Sequence, residues 1–340
     1  MARVAVALSG GVDSAAAAIL LQEEGHEVFG VTMRVTETWV AEAAAVAAAL
    51  GIEHYVFDLR AEFKAAVIEP FVAAYLSGRT PNPCVTCNPR VKFGLLLRRA
   101  VELGAAFFAT GHYARVWRDG GTGRYLLARG LDRKKDQSYF LYALNQEQLR
   151  YLLFPLGTKT KEEARAFVRA RGLRVAARES QEICFLPEDD YRAFLRQVAG
   201  EPRVGPIVDL QGNVIGRHRG LPYYTVGQRR GLGVAAGYPL YVLALDPARN
   251  ALIVGPEEFL YRDECLVGDV NLILFAALTE SLPVTVKVRR GAREKPAVIE
   301  PAGENRVRVR FAAPERAITP GQAAVFYRED LVVGGGTILA

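Results

Sequence analysis

In the first 110 residues, short runs rich in β-branched side chains alternate with Ala-rich stretches of helical spacing, and this alternation constrains the fold more than any other feature. Residues 3–8, 27–33, 53–58 and 106–110 read as buried strands, and 14–24, 40–50, 61–76 and 91–103 as the helices between them. Strand and helix in strict alternation predict an α/β unit with a parallel sheet covered on both faces. After about residue 200 the texture changes, because the last 140 residues hold 16 of the 32 glycines and 11 of the 17 prolines. Alternating segments at 241–245, 285–289, 306–311 and 323–327 then predict short strands joined by frequent turns. A boundary is expected at Gly200-Glu201-Pro202 and a weaker one at Gly268-Asp269, dividing the chain into 1–200, a small β-rich unit at 201–268, and a β unit at 269–340.

With 43 basic and 37 acidic residues, the net charge of +6 permits a polyanionic partner without demanding one. Its distribution says more. Lys159, Lys161, Arg165, Arg169, Arg171, Arg174 and Arg178 outnumber Glu162, Glu163 and Glu179, and a second knot, Arg129, Arg133, Lys134 and Lys135, lies upstream. Such a run is either a solvated helix face or a phosphate-binding surface. No apolar run reaches the roughly 18 residues of a spanning helix, so no membrane association and a cytoplasmic location are expected. Four cysteines in 340 residues are too few for a disulfide scaffold, which points to reactivity or metal binding.

Ser9-Gly10-Gly11-Val12-Asp13-Ser14 stands where the first strand hands over to the first helix. Glycines let the backbone fold tightly there, and the N–H groups of the turn and helix start can cradle an oxyanion. No Gly-Lys-Ser/Thr follows, so this is not a Walker A loop, and the Gly-x-Gly-x-x-Gly spacing is absent. The alternative is a plain strand-to-helix turn. The motif resembles the pyrophosphate loop of ATP-pyrophosphatases, which implies adenylation rather than phosphoryl transfer, with Asp13 near the magnesium of the nucleotide.

Thr80-Pro81-Asn82-Pro83-Cys84-Val85-Thr86-Cys87-Asn88 is Pro-rich and polar, so its Cys-x-x-Cys is expected on a loop. Spacing alone leaves a zinc half-site and a redox pair in competition. A second such pair is missing, so no residue is assigned as a metal ligand. Cys184 follows about a hundred residues later in Glu182-Ile183-Cys184-Phe185, while Cys265 sits in an apolar run and reads as packing.

Together with Gly111-His112-Tyr113-Ala114-Arg115, Lys135-Asp136-Gln137-Ser138-Tyr139-Phe140-Leu141, and Tyr224-Thr225-Val226-Gly227-Gln228-Arg229-Arg230-Gly231-Leu232, these motifs resemble, in order, the bacterial tRNA-specific 2-thiouridylases. The resemblance runs on through Pro320-Gly321-Gln322 to Gly334-Gly335-Gly336. It implies a pyrophosphatase-type α/β domain over 1–200, a small central domain over 201–268 and a C-terminal tRNA-binding β-barrel over 269–340. The activity it implies is ATP-dependent replacement of the 2-oxo oxygen of the wobble uridine by sulfur in the tRNAs for Lys, Glu and Gln. Sulfur would come from a persulfide-donating carrier protein.

By the same resemblance, Ala7, Leu8, Ser9, Gly10, Gly11, Val12, Asp13, Ser14, Met33 and Gly111 bind ATP with Mg2+, Met33 packing on adenine. Cys184 carries a persulfide and Cys87 is its partner, either releasing sulfide or closing a Cys87–Cys184 disulfide. Asn82, Pro83, Cys84, His112, Lys135, Asp136, Gln137, Arg289, Arg290 and Gln322 match tRNA contacts. The chain departs from the family pattern in two places: Cys84 stands where many members carry Asp, and the stretch after Met33 is shorter. With three cysteines converging, a 4Fe-4S cluster is the less favoured alternative to the persulfide route. Other adenylating pyrophosphatases, or an RNA-binding protein with a zinc-stabilised loop, explain fewer of these motifs.

Overall fold

The computed structural model describes every residue except 36, 174, 177–182, 187, 189, 235 and 340. Glu182 of the Cys184 motif, and Arg174, Arg178 and Glu179 of the basic run, therefore lie outside the described residues.

The N-terminal part runs β1 (Arg3–Ala7), α1 (Val12–Glu23), β2 (Glu27–Arg34), α2 (Glu37–Leu50), β3 (His54–Asp58), α3 (Arg60–Phe63) and α4 (Glu69–Leu76). It continues through α5 (Pro83–Cys87), α6 (Leu97–Glu102), β4 (Phe107–Ala109), β5 (Ala114–Arg118), β6 (Tyr125–Arg129), α7 (Gln146–Leu149), β7 (Leu152–Leu153), α8 (Lys161–Ala170) and α9 (Tyr191–Ala199). As the alternation predicts, β3-β2-β1-β4-β7 form one parallel sheet. One face packs on Ala15, Ile19, Ala43, Val46, Ala164 and Val168 of α1, α2 and α8, and the other on the helices between residues 60 and 102. Two of the expected helices are not uniform, because π-helical turns at Lys64–Ile68 and Asn88–Leu96 interrupt them.

The Cys-x-x-Cys segment corrects the expectation of a loop. It forms the short helix α5, with Pro83 in its first turn and the Asn82 side chain accepting from Cys84 N at 3.2 Å. Proline suits a first helical turn, where its missing N–H costs nothing, and Asn is a strong N-cap. The same residues that read as loop-forming thus start a helix.

The central unit is a four-stranded sheet of β8 (Gly205–Val208), β9 (Val214–His218), β10 (Tyr241–Asp246) and β11 (Ala251–Gly255). Beyond it, β12 (Tyr261–Leu272), β13 (Leu282–Lys287), β14 (Lys295–Pro301), β15 (Val307–Arg316), β16 (Ala323–Arg328) and β17 (Leu331–Ile338) close into an antiparallel barrel through the β12–β17 pairing. Cys265 is buried in the barrel core, and burial pushes its thiol up to about 12. Among the described residues no helix is long and apolar enough to cross a membrane.

The β5–β6 hairpin joins the barrel sheet beside β17, at Leu331↔Ala128. Arg129 fastens it. Its Nη2 donates to Glu294 Oε2 at 2.6 Å and its guanidinium lies 3.9 Å above the Tyr327 ring. Removing one partner of such a largely buried pair leaves the other charge uncompensated. Arg129→Met should therefore lower stability by about 3–5 kcal/mol, read from the urea midpoint. The double variant Arg129→Met/Glu294→Leu should recover most of that loss.

Candidate active site

β1 has β2 on one side and β4 on the other, so the sheet order reverses at its end. Connections leaving the carboxyl ends of β1 and β4 diverge there and leave a crevice. The Ser9–Ser14 loop lies at this point. Ser9 N donates to Ser14 Oγ at 3.2 Å, and Ser14 Oγ in turn donates to Gly11 O at 3.1 Å, so the turn is held by its own serines. Gly10 has φ +76°, and a Cβ there would stand 2.3 Å from Glu42 Cβ on α2. Gly11 precedes α1 in an extended conformation without a side-chain cap, so its first-turn N–H groups meet no capping side chain. Ala176 N closes the loop's outer side onto Gly10 O at 3.0 Å.

Asp13, in the first turn of α1, accepts from Tyr113 Oη at 2.8 Å and from Lys161 Nζ at 2.7 Å, both on Oδ1. Gly111 passes so close that a Cβ would lie 2.5 Å from the Asp13 carbonyl carbon. Met33 is buried near the end of β2, and the neighbouring Thr32 hydroxyl donates to Leu8 O at 2.9 Å. Glycines at the close approaches, unused N–H groups and a nearby ammonium fit the polyphosphate of a nucleotide.

The cysteines form the second half of the site. Cys87 is buried and packs with Val91 and Phe93 in the core cluster that Cys184 and Phe185 border. Phe185 is fixed by edge-on rings of Phe71 (5.3 Å), Phe194 (5.4 Å) and Phe63 (5.8 Å), which positions its neighbour Cys184. Asn88, next to Cys87, donates to Phe140 O at 2.9 Å, tying this helix to the 135–141 segment. Burial pushes the Cys87 thiol up to about 11 and that of Cys184 up to about 12, and raises Cys84 as well; Cys84 and Cys87 push Cys184 further in the same direction. Lys92 pulls all three back, helped at Cys84 by Arg290. All four cysteines are free thiols. Among the described residues no three His, Cys, Asp or Glu side chains group so as to hold a metal ion.

His112 is half-buried, with Nδ1 2.6 Å from Thr110 Oγ1. Burial first and Lys92 second push its imidazole well below the usual range, which leaves it neutral. Asp136 and Gln137 are engaged internally. Gly130 N donates to Asp136 Oδ1 at 3.1 Å, and Gln137 exchanges bonds with the Tyr113 backbone at 3.0 Å. Lys135 N donates to Asp132 O at 3.1 Å. From the barrel side, Arg290 lies 5.5 Å above the Phe140 ring, and Gln322 Nε2 donates to Thr80 O at 2.8 Å. Arg289 and Gln322 line one cavity of about 400 Å3 with Thr80, Thr225, Gln228 and Arg316, where the three parts of the chain meet.

A parallel sheet with an anion-binding loop at its switch point defines a nucleotide-using α/β domain, here joined to two β units. The model of the tRNA methyl transferase HUP domain matches residues 2–188, that of the PRC-barrel domain 192–256, and that of the aminomethyltransferase beta-barrel domain 262–338. The chain is 54% identical to the tRNA-specific 2-thiouridylase MnmA of Desulforudis audaxviator, over 99% of this chain and 98% of that protein. It is 51% identical to MnmA of Moorella thermoacetica, over 98% of each. The chain belongs to the tRNA-specific 2-thiouridylase (MnmA) family, whose members use ATP. A solved U34-tRNA thiolase, NcsA from Methanococcus maripaludis with its [4Fe-4S] cluster, aligns at 19% identity and a TM-score of 0.36, over 54% of this chain and 61% of that one, too loosely to bear on mechanism.

Three residues of the site, Lys92, Tyr113 and Lys161, carry weight that motif reading did not assign. Lys92 lies in an apolar helical stretch, five residues beyond Cys87, and nothing local marks it. If Lys92 holds the thiols down, Lys92→Met should raise them further and slow alkylation of Cys87 and Cys184 by iodoacetamide at pH 9 by about three- to tenfold, since one pKa unit is a tenfold change in thiolate. Mass spectrometry of the labelled peptides reads this directly, and the wild-type rate should keep rising toward pH 11.

Proposed function

We propose that this chain is an ATP-dependent tRNA 2-thiouridylase that acts in the cytoplasm on the wobble uridine of the tRNAs for Lys, Glu and Gln. The observation that carries this reading is the Gly111-His112-Tyr113 segment. Gly111 and Tyr113 lie against Asp13 of the nucleotide loop, while His112 neighbours Lys92, which acts on all three thiols. One short connection thus spans an activation site and a sulfur site, as a reaction that first activates and then substitutes requires.

Ala7 to Ser14, Met33 and Gly111 bind ATP, with Asp13 beside the Mg2+ of the nucleotide. The uridine O2 attacks the α-phosphorus, the bond to the β-phosphate breaks, and pyrophosphate leaves with its electrons. AMP on the oxygen turns a poor leaving group into a good one. The terminal sulfur of a Cys184 persulfide then attacks C2, the C2–O bond breaks, and AMP departs. A bare thiol held at about 12 is a weak nucleophile at neutral pH, whereas a persulfide sulfur ionises more readily. Cys87 attacks Cys184 Sγ, which releases the thiolated base and closes a Cys87–Cys184 disulfide. If Cys87 instead attacks before transfer, free sulfide is expelled and the same disulfide forms. A dithiol reductant restores both thiols, and a persulfide-bearing carrier protein reloads Cys184.

The base must leave its stack to reach buried thiols, at a cost of a few kcal/mol. Asn82, Pro83 and Cys84 meet it, while His112, Lys135, Asp136, Gln137, Arg289, Arg290 and Gln322 contact the RNA around it. Incubation with ATP, a persulfide donor and unmodified tRNA should give 2-thiouridine at the wobble position, with one pyrophosphate per product, by mass analysis and phosphate assay. Cys87→Ser and Cys184→Ser should each lose nearly all product, at least a hundredfold, while Cys84→Ser keeps much of it. Normal turnover in Cys184→Ser would overturn the persulfide route.

A further inference from the structure

Lys92 lies five residues beyond Cys87, and in a regular α-helix that spacing would part them. At 3.6 residues per turn Lys92 would fall about 140° round the axis, and the neighbours of Cys87 on its own face would be Arg90 and Val91. The chain is instead π-helical from Asn88 to Leu96, a wider turn with bonds five residues apart, such as Leu97 N–H to Lys92 O. This register brings residue 92 round over residue 87. The Lys92 amide N–H faces the Cys87 sulfur, and the ammonium acts on Cys84, Cys87 and Cys184 alike.

A π turn is rare, and groups outside the thiols hold this one. Pro89 has no N–H to give and its ring would meet the carbonyl four residues back, so an α-helix cannot run on unbroken from α5. Gly94 passes so close to Pro89 O that a Cβ would stand 2.7 Å away. Gln148, from α7, donates through Nε2 to Pro89 O at 2.7 Å and to Phe93 O at 3.1 Å, while its Oε1 accepts from Asn145 N at 3.1 Å. The amide is thereby fixed at both ends and clamped across the π segment. Phe93 is fully buried, edge-on to Phe108 (6.0 Å) and Phe154 (6.1 Å), which anchors the chain beside Lys92. What an α register could not provide is an N–H and a cation on the Cys87 side.

Resting on the persulfide reading above, we propose that the π turn at Asn88–Leu96 is built to activate Cys87, and that Gly94 and Gln148 are positioning residues which act on its sulfur through Lys92. In that reading Cys87 loses its proton to water and its sulfur bonds to Cys184 Sγ. The bond from that Sγ to the transferred sulfur breaks, and the electron pair stays with the sulfur of the base. The anion on Cys87 before the attack is what the Lys92 N–H and ammonium stabilise. Cys84 and Cys184, the titrating groups nearest to it, oppose that anion, Arg290 acts from the barrel on Cys84, and His112 stays neutral.

The labelling rate of Cys87 by iodoacetamide against pH, read by mass spectrometry on the full chain, tests this in Gly94→Ala, Gln148→Met, Lys92→Met and the wild type. Melting curves and the labelling of Cys265, buried in the barrel, show whether a variant opens generally. Wild-type Cys87 should titrate near 11. Gly94→Ala and Gln148→Met should each move that midpoint up and slow labelling at pH 9 about three- to tenfold, with Cys265 unchanged. Adding Lys92→Met to Gly94→Ala should cost less than the product of the two single losses, because both act through one lysine. In single turnover with ATP, tRNA and persulfide-loaded protein, Gly94→Ala should release pyrophosphate within about twofold of the wild type but 2-thiouridine about tenfold more slowly. In the wild type, nuclear Overhauser contacts between the Lys92 N–H and the Cys87 side-chain protons are expected, a reading that needs no variant. Wild-type labelling of Cys87 in both folded variants, full multiplication of the two losses, or absence of the wild-type contact overturns the positioning role alone. A wild type that makes no 2-thiouridine overturns the persulfide reading and not the turn, which the labelling and the wild-type contact decide.

Discussion

The position of β1 between β2 and β4 governs what the rest of the chain can do. Because both neighbours run parallel to it, the connection after each strand must cross back over a face of the sheet, and at β1 the crossings part to opposite sides. Residues 9–14 occupy the resulting crevice, and residues 110–113 reach it from the next strand. Gly10 and Gly111 are then required less for flexibility than for clearance, against Glu42 and Asp13 respectively. A side chain at either position would force α2 or α1 to shift.

Two opposing electrostatic effects set the chemistry of the thiol half. Burial favours the neutral thiol and dominates at all three cysteines, while Lys92 opposes it from one side. The balance leaves protonated sulfurs at neutral pH, which protects them from stray oxidation and alkylation. Under the proposed mechanism this is an advantage, since sulfur becomes reactive only once loaded as a persulfide. His112 fits the same logic. A neutral imidazole beside Lys92 adds no further positive charge to a pocket that Lys92 and Arg290 already serve.

The parts of this design that were legible in the sequence are those with a local signature. Strand 27–33 was readable because it is rich in apolar and β-branched residues, and the loop because glycines stand where a strand ends. The Cys-x-x-Cys segment misled, since Asn82 and Pro83 are turn formers by composition and helix starters by position. The β5–β6 hairpin shows a different limit: its partner β17 lies 200 residues away, so no local pattern could have joined it to the barrel. Lys161 was visible as one charge in a basic run. Its burial exists only because α8 packs on α1, which a count of charges along the chain does not encode.

The same long-range packing links the barrel to the sulfur site. Thr80, two residues before Asn82, has its N–H bonded to Pro320 O at 3.0 Å and its carbonyl to Gln322, and a Cβ on Gly321 would stand 2.9 Å from Arg79 Cβ. Its hydroxyl meets that of Thr225 at 3.1 Å, so all three parts of the chain converge on one residue at the entrance to α5. A barrel that shifted would carry Thr80, and with it the cap of the cysteine helix. Arg290 adds a second tie, from the barrel over Phe140, whose carbonyl holds Asn88 next to Cys87. The cysteine helix is therefore braced from the barrel at both of its ends, and an RNA bound along the barrel would meet thiols whose position the barrel itself sets.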